Sequence, residues 1–331
     1  RRRKFKLSSF SRFKFSLPDA FREAFFSTGQ LHRPFLRHSG KAAFMKNVIF
    51  ALVMLTFISV TFAQDGEFHL DKKFNIEKNA TLDISTSDAK VFITGSSRPD
   101  AHIKIDRKVS ANGWNSGNND FEVEVEEFNG GLRIRESQTG PTVSVGYFHE
   151  EYRIDIEAPD GISLVVRGDD GDYFIKNVNG AISMSLDDAD AELTGCKGSD
   201  FRFRFDDGDL RMDQGKGNIT IDADDADIEI YKAGFSSVDA SVDDGDLTIE
   251  TSLADNGRYN INSQDGFVSF RVSAGGGDFD ILHDDANLSF QGGFKSLEQS
   301  ENKTRLSLHS GNAKVIVRAD DATVKLSAAH Q

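Results

Sequence analysis

The sequence predicts an all-β fold built from stacked repeats, either a β-solenoid or a closely related elongated stack of strands. Three observations support this prediction. An acidic tetrapeptide recurs every 18 or 19 residues, apolar and polar residues alternate on both sides of it, and no window after residue 64 keeps the 3.6-residue period of a helix. Two short strands cannot bury an apolar face alone, whereas units stacked at about 4.8 Å form a continuous core.

The acidic tetrapeptide has the form Asp-Asp-Gly/Ala-Asp, and its third position alternates between Gly and Ala in the first five copies. The copies begin at Asp169, Asp187, Asp206, Asp224 and Asp243, with degenerate copies at Gln264 and Asp284 and one after an irregular interval at Asp320. Asp side chains bond nearby backbone N–H groups and Gly accepts positive φ, so each copy is predicted to be a turn.

Apolar residues stand one and three places after every tetrapeptide, which predicts a strand with one face inward. The pairs are Tyr173/Ile175, Ala191/Leu193, Leu210/Met212, Ile228/Ile230, Leu247/Ile249, Val268/Phe270, Leu288/Phe290 and Val324/Leu326. A second alternating run precedes most tetrapeptides, after a small-residue turn such as Asn179-Gly180 or Gly215-Lys216-Gly217. An immunoglobulin-like sandwich is the alternative, but so regular a rhythm argues against it.

The chain is predicted to divide into four segments. Residues 161–327 form the acidic β-repeat solenoid, and residues 64–160 form a less regular β region that caps one end of it. Within that region, residues 110–120 and 138–147 are expected to be exposed loops. Residues 45–63 have a basic start, an apolar run of about fifteen residues and small residues at Thr61 and Ala63, which is typical of a cleaved signal peptide. A signal anchor is the alternative.

Residues 1–44 are a basic extension with eleven Lys or Arg against two acidic residues. They are expected to lie outside the native protein, as translated sequence upstream of Met45, or to form a transit-like or amphipathic basic arm. Residues 64–331 carry 27 basic and 51 acidic side chains, a balance of −24. Such acidity disfavours nucleic acid and anionic membrane as partners and helps to keep an exported β protein soluble.

The single cysteine, Cys196, excludes an intrachain disulfide and a thiolate metal cluster, and it is expected to be a small buried residue. After signal cleavage the sequence predicts no integral membrane segment.

The doubled aspartates are the sharpest chemical hypothesis in the sequence. If the turns align, they form two rows of carboxylates along one edge, which repel one another and attract a hard cation, Ca²⁺ first. The candidates are Asp169, Asp170, Asp187, Asp188, Asp206, Asp207, Asp224, Asp225, Asp243 and Asp244. The alternative is that each Asp caps its own turn and water screens the rest, with no cofactor.

Several motifs outside the repeat complete the pattern. Leu82-x-Ile84, Val91-x-Ile93-x-Gly95 and Ile154-x-Ile156-x-Ala158-Pro159 follow the leader, and a run of Gly-Asp repeats follows them. This order resembles the family of exported bacterial β-strand-repeat proteins known as putative adhesins, over residues 66–327. The resemblance implies a right-handed β-solenoid-like fold and an envelope location, but no demonstrated ligand. The doubled Asp at almost every turn departs from the family pattern.

Together these observations predict an exported envelope binding or scaffolding module, an adhesin, rather than an enzyme. The acids recur in every unit, whereas an active site needs one distinctive arrangement. Expected partners are an envelope protein or an extracellular glycan, and the expected location is the cell surface, the outer membrane or the periplasm. A periplasmic accessory or sensor protein in envelope signalling and a structural spacer are the alternatives. Aromatic side chains are expected to face mostly inward.

Overall fold

The computed structural model describes residues 67–116, 120–139 and 143–329, and every regular element among them is a β-strand. The predicted basic extension and signal peptide lie outside these residues. No helix that could span a membrane occurs in the described part of the chain.

Twenty-three strands make up the described chain. The first twelve are β1 (Glu67–Asn75), β2 (Thr81–Thr86), β3 (Lys90–Ser96), β4 (Asp100–Ser116), β5 (Asp120–Phe128), β6 (Gly131–Thr139), β7 (Val143–Pro159), β8 (Ser163–Gly168), β9 (Tyr173–Lys176), β10 (Ile182–Leu186), β11 (Ala191–Thr194) and β12 (Asp200–Phe205). The others are β13 (Leu210–Ala223), β14 (Ile228–Val242), β15 (Leu247–Ser252), β16 (Arg258–Ser263), β17 (Phe267–Ala274), β18 (Gly277–His283), β19 (Asn287–Gln291), β20 (Phe294–Gln299), β21 (Lys303–Leu308), β22 (Ala313–Ala319) and β23 (Thr323–Ala328).

The strands form two faces around one core. We call face A the set of strands that precede the acidic turns and face B the set that follows them. On face A, β10 pairs in parallel with β8 and β12, and Ile182 lies beside Leu164 and Phe201. On face B, β11 pairs in parallel with β9 and β13. One acidic turn joins one strand of each face into a coil, so the predicted solenoid-like stacking of repeats is confirmed.

In two coils a single continuous strand passes from one face to the other. β13 and β14 each run along face B and continue onto face A, and they stay paired except for a register shift between Gly217 and Asn218. The prediction of a small-residue turn at Gly215-Lys216-Gly217 is therefore wrong, because these residues belong to the continuous strand β13. Gly217 has a φ of 78° and bends the strand there, so the ladder of hydrogen bonds continues around the corner.

The coils do not follow the order of the chain at either end. The coil of β2 and β3 lies between the coil of β6 and β7 and that of β8 and β9. At the other end, the coil of β22 and β23 lies between β16/β17 and β18/β19. Each end of the stack is therefore built around an inserted coil whose neighbours are distant in sequence.

The first strands add antiparallel pairs to the stack. β4 pairs with β1 and β7, and β5 pairs with β6. The β4–β7 ladder extends to Ser116 and Val143, so residues 110–116 and 143–147 are strands where loops were predicted. The pairing that organises them joins segments that are distant in sequence, and a local pattern does not record it.

The core confirms the inward pattern of the repeat. In seven of the eight apolar pairs that follow the acidic turns, both residues are at most 2% exposed. The exception is Leu288 with Phe290, which are half-buried. Cys196 is fully buried, as predicted, and burial raises the pKa of its thiol.

Candidate functional site: the acidic edge

The acidic turns stack on one another in register. In successive coils the N–H of the second Asp donates to the carbonyl of the first Asp of the coil before it. Asp188 donates to Asp169 at 3.0 Å and Asp207 to Asp187 at 2.9 Å. The same bonds join Asp225 to Asp206 at 2.9 Å and Asp244 to Asp224 at 3.1 Å. The first and second aspartates therefore form two continuous rows, which we call the acidic edge.

The alternation of Ala and Gly has a packing reason. Ala189 and Ala226 are buried, and the following coil places a glycine directly against each of their carbonyl groups. A Cβ on Gly208 would lie 2.5 Å from the carbonyl oxygen of Ala189. The Ala side chain of one turn therefore fills a small space in the core. The glycine of the next turn lets its backbone approach the carbonyl group of that Ala closely.

The alternation is spatial, and it reaches beyond the predicted repeat. Ser87-Asp88-Ala89-Lys90 joins β2 to β3 and lies next to the turn of Gly171. Ala89 is buried, and its carbonyl faces Gly171 as that of Ala189 faces Gly208. The order in space is thus Ala, Gly, Ala, Gly, Ala, Gly from Ala89 to Gly245. This copy is not recognisable from the sequence alone, because it precedes the turn of Gly171, its neighbour in space, by some eighty residues.

The third Asp of some turns has a structural task. Oδ1 of Asp190 accepts the backbone N–H of Asp209 at 2.9 Å, and Oδ1 of Asp227 accepts that of Asp246 at 2.8 Å. Asp246 in turn accepts the N–H of Phe267 at 3.0 Å. These carboxylates cap the turn of the next coil. They tie neighbouring coils together and leave the two outer rows free of this task.

The two outer rows point their carboxylates to solvent. Nine of the ten candidate residues are exposed, and Asp243 is half-buried. Desolvation raises the pKa of Asp207, and repulsion from Asp188 and Asp225 raises it further. The pKa of Asp244 is raised by desolvation and by the neighbouring acids, Asp265 first. At Asp207 and Asp244, stacking thus brings like charges close enough to disfavour the ionised form.

Calcium binding by the acidic edge stays a prediction. Within the described residues, no three His, Cys, Asp or Glu side chains form a group that could hold a metal ion. The rows instead offer an extended line of oxygen atoms. Such a line can attract mobile cations or a basic surface through its summed potential.

Face B carries an aromatic pair that the sequence did not reveal. Phe92 and Phe174 are half-buried on its solvent side and stack with ring centroids 4.9 Å apart. The guanidinium of Arg153 lies 3.9 Å from the centroid of Phe92, and Nζ of Lys90 lies 5.1 Å from that of Phe174. Cations thus cover these rings, and the pair is an exception to the expectation that aromatic side chains face mostly inward.

A cleft of about 820 Å³ lies beside this pair, where β1, β4 and β7 meet the start of β3. Phe68 and Arg107 line it, and Arg107 stacks 3.8 Å from the centroid of Phe121. Tyr152 also lines it, and its buried hydroxyl has no hydrogen-bond partner among the described residues. Burial raises the pKa of Tyr152 far above its ordinary value.

Comparison with known proteins agrees with this architecture. Residues 62–327 match the family model described as Toastrack DUF4097. The chain belongs to this family. The Toastrack match covers the acidic repeat as well as β1–β7, so both are parts of one family unit. Among curated proteins, none matches the chain.

Three crystal structures resemble the Toastrack chain, each at 13% identity. A putative cell adhesion protein from Clostridium sporogenes has a TM-score of 0.25, with 79% of this chain and 100% of the other covered. A putative adhesin from Bacteroides fragilis has a TM-score of 0.40, with 78% of this chain and 97% of the other covered. A putative lipid binding protein from Parabacteroides distasonis has a TM-score of 0.32, with 80% of this chain and 97% of the other covered. Similarity at this level supports no inference about function.

Proposed function

We propose that the protein is an exported module of the cell envelope that works by binding, without catalysis, and presents its acidic edge to a positively charged partner surface. One observation carries the proposal. The outer aspartates of five successive turns are held in register by backbone hydrogen bonds and point to solvent. A rigid row of like charges attracts a basic protein surface over a distance and fixes the direction in which it lies.

The charge of the chain supports this choice of partner. Residues 64–331 have a balance of −24, which opposes nucleic acid and anionic membrane and favours a basic envelope protein. An extracellular glycan is the second partner class, and the outward-facing aromatic pair of Phe92 and Phe174 favours it. Because the acidic turns are equivalent to one another, they suit repeated weak contacts better than a single catalytic centre.

Three finer features of the fold belong to the same proposal. We infer a right-handed coil, an elongated stack, and a capping role for residues 64–160. The outermost face A strand of that region, β5, carries Glu122, Glu124, Glu126 and Glu127. Charged edge strands resist pairing with other chains, which supports the cap.

The location is proposed from the predicted signal peptide at residues 45–63. Protease treatment of intact cells, with an antibody against residues 64–331, tests it. Digestion while a periplasmic control survives supports surface display and an adhesin. Protection that is lost only when the outer membrane is opened excludes an adhesin and favours a periplasmic accessory or sensor protein.

The acidic edge itself is tested by neutralising it. Envelope extract is passed over the immobilised full chain, and the retained proteins are eluted with a salt gradient. In one variant Asn replaces Asp188, Asp207 and Asp225 in the second row. In the control variant Asn replaces the face residues Asp222, Asp239 and Asp278, which changes the net charge equally.

We expect the edge variant to lose partners that the wild type and the control retain. Equal retention by all three proteins contradicts binding through the edge. A wild type that retains no envelope protein would instead favour a structural spacer.

A further inference from the structure

The two ends of the stack differ in how their outermost strands are protected. At one end, β1 and β5 are rich in charged residues. At the other end, the outermost face B strand is β19, with the sequence Asn-Leu-Ser-Phe-Gln and no charge. Among the described strands, β19 pairs only with β23. An uncharged, regular edge strand is an available template for pairing with another strand.

The core is also less covered at this end. Leu288 and Phe290 of β19 are half-buried, although the equivalent pair in each of the seven other coils is buried. Ala286 is half-buried where Ala189, Ala226 and their equivalents are buried. A further strand laid along β19 would complete the burial that every other coil achieves.

The backbone of β19 determines which groups face the free edge. The N–H of Asn287 donates to the carbonyl of Ala322, at the start of β23. Because N–H and C=O groups of alternate residues point to opposite sides of a strand, Asn287, Ser289 and Gln291 bond to β23. The N–H and C=O groups of Leu288 and Phe290 therefore point to the free edge.

We propose that β19 is the two-fold interface of a homodimer, in which it pairs antiparallel with β19 of a second copy. With Ser289 opposite Ser289 of the second copy, Leu288 lies opposite Phe290 and exchanges both backbone hydrogen bonds with it. Asn287 then lies opposite Gln291. The strand is complementary to itself, with an aliphatic–aromatic pair on the core side and amides on the outer side.

Electrostatics favours this orientation over a continued parallel stack. Parallel addition of another coil would place a further acidic turn on Asp284 and Asp285, in a chain that is already strongly acidic. In the antiparallel register, Asp285 lies opposite Gly293 of the second copy, which has no charge. The opposite end is protected, and β20, the outermost strand of face A at this end, carries Lys295 and Glu298. β19 is therefore the pairing edge, so the assembly closes at two copies and does not extend into a fibre.

The proposal goes beyond the acidic edge and does not depend on it, since a dimer can form whatever the edge binds. The mass of the full chain in solution, measured by light scattering after size exclusion, should be that of two copies. Ser289→Asp places two carboxylates at the two-fold axis and should weaken self-association about tenfold or more. Ser185→Asp, an exposed outward position in an interior coil, is the matched control and should stay dimeric.

A cysteine scan tests the register. Directly opposed residues of a non-hydrogen-bonded antiparallel pair have Cα atoms about 4.5 Å apart, within reach of a disulfide. Ser289→Cys should therefore form a covalent dimer under mild oxidation, whereas Asn287→Cys should not, because it faces Gln291. A monomeric wild type overturns the proposal and leaves the edge to another occupant, such as an extended peptide. A dimer that Ser289→Asp leaves intact, or that Asn287→Cys crosslinks as readily as Ser289→Cys, overturns it too.

Discussion

Substitution of Gly245 by Ala examines whether the turns close on one another as tightly as the alternation implies. The added Cβ would lie 2.7 Å from the carbonyl carbon of Ala226 and closer still to its oxygen, and both belong to backbone that cannot rotate away. The acidic turn must therefore move outward by about 1 Å to restore an ordinary contact.

That movement strains the hydrogen bonds on either side of the glycine. Asp244 donates to Asp224 at 3.1 Å, Asp246 donates to Oδ1 of Asp227 at 2.8 Å, and the N–H of Ile228 donates to the carbonyl of Asp246 at 2.8 Å. At about 0.5–1.5 kcal/mol for each bond, the loss of three lowers the free energy of unfolding by about 1.5–4.5 kcal/mol.

The assay is urea unfolding followed by circular dichroism, with Gly234→Ala as the control. A Cβ on Gly234 would meet only Oγ of Ser252, at 3.3 Å, and this side chain can turn aside. The control should keep wild-type stability or gain up to about 1 kcal/mol, because alanine restricts the unfolded chain. If Gly245→Ala is as stable as Gly234→Ala, the turns are not packed as described.

Three further predictions concern named side chains. Asp207→Asn should raise the unfolding temperature near pH 7 and lose this advantage near pH 3. The pKa of Asp207 is higher in the folded than in the unfolded chain, so its ionised carboxylate destabilises the fold at pH values above the folded pKa. This destabilisation disappears as the pH falls through the folded pKa towards the unfolded value of 3.8. An advantage that is equal at both pH values would argue against repulsion. Tyr173→Phe removes the 2.9 Å hydrogen bond to the buried Thr86 hydroxyl and should lower the free energy of unfolding by about 1–3 kcal/mol in urea titration; an unchanged midpoint would exclude it. If the acidic edge binds calcium, about 1 mM CaCl₂ should raise the unfolding temperature of the wild type but not of a chain with Asn at Asp207 and Asp225, and equal shifts would place the effect elsewhere.

The sequence predicted the features that repeat locally. The spacing of the tetrapeptides and the apolar pair after each one were enough to predict the coil, its inward side chains and the alignment of the acidic rows. These follow from local rules, because strand alternation and turn chemistry act over a few residues.

The remaining features depend on long-range pairing. β2 and β3 stack on β8 and β9, about eighty residues later, and no local pattern records that choice. Ser87-Asp88-Ala89-Lys90 lacks the doubled Asp, so it does not stand out as a turn of the same edge. Phe92 and Phe174 lie on adjacent strands at outward positions, and only the register of β3 on β9 shows that they stack.

The inserted coil gives the most direct test of the architecture. Ser85 of β2 lies beside Arg167 of β8 on one side and Arg135 of β6 on the other, so Arg135 and Arg167 are two strand spacings apart, about 9.6 Å. Oxidation of a Ser85→Cys, Arg167→Cys double variant should give an internal disulfide, detected by mass spectrometry, and buried Cys196 should not compete. An Arg135→Cys, Arg167→Cys variant should stay reduced. If the second pair crosslinks and the first does not, the chain winds in sequence order and the inserted coil does not exist.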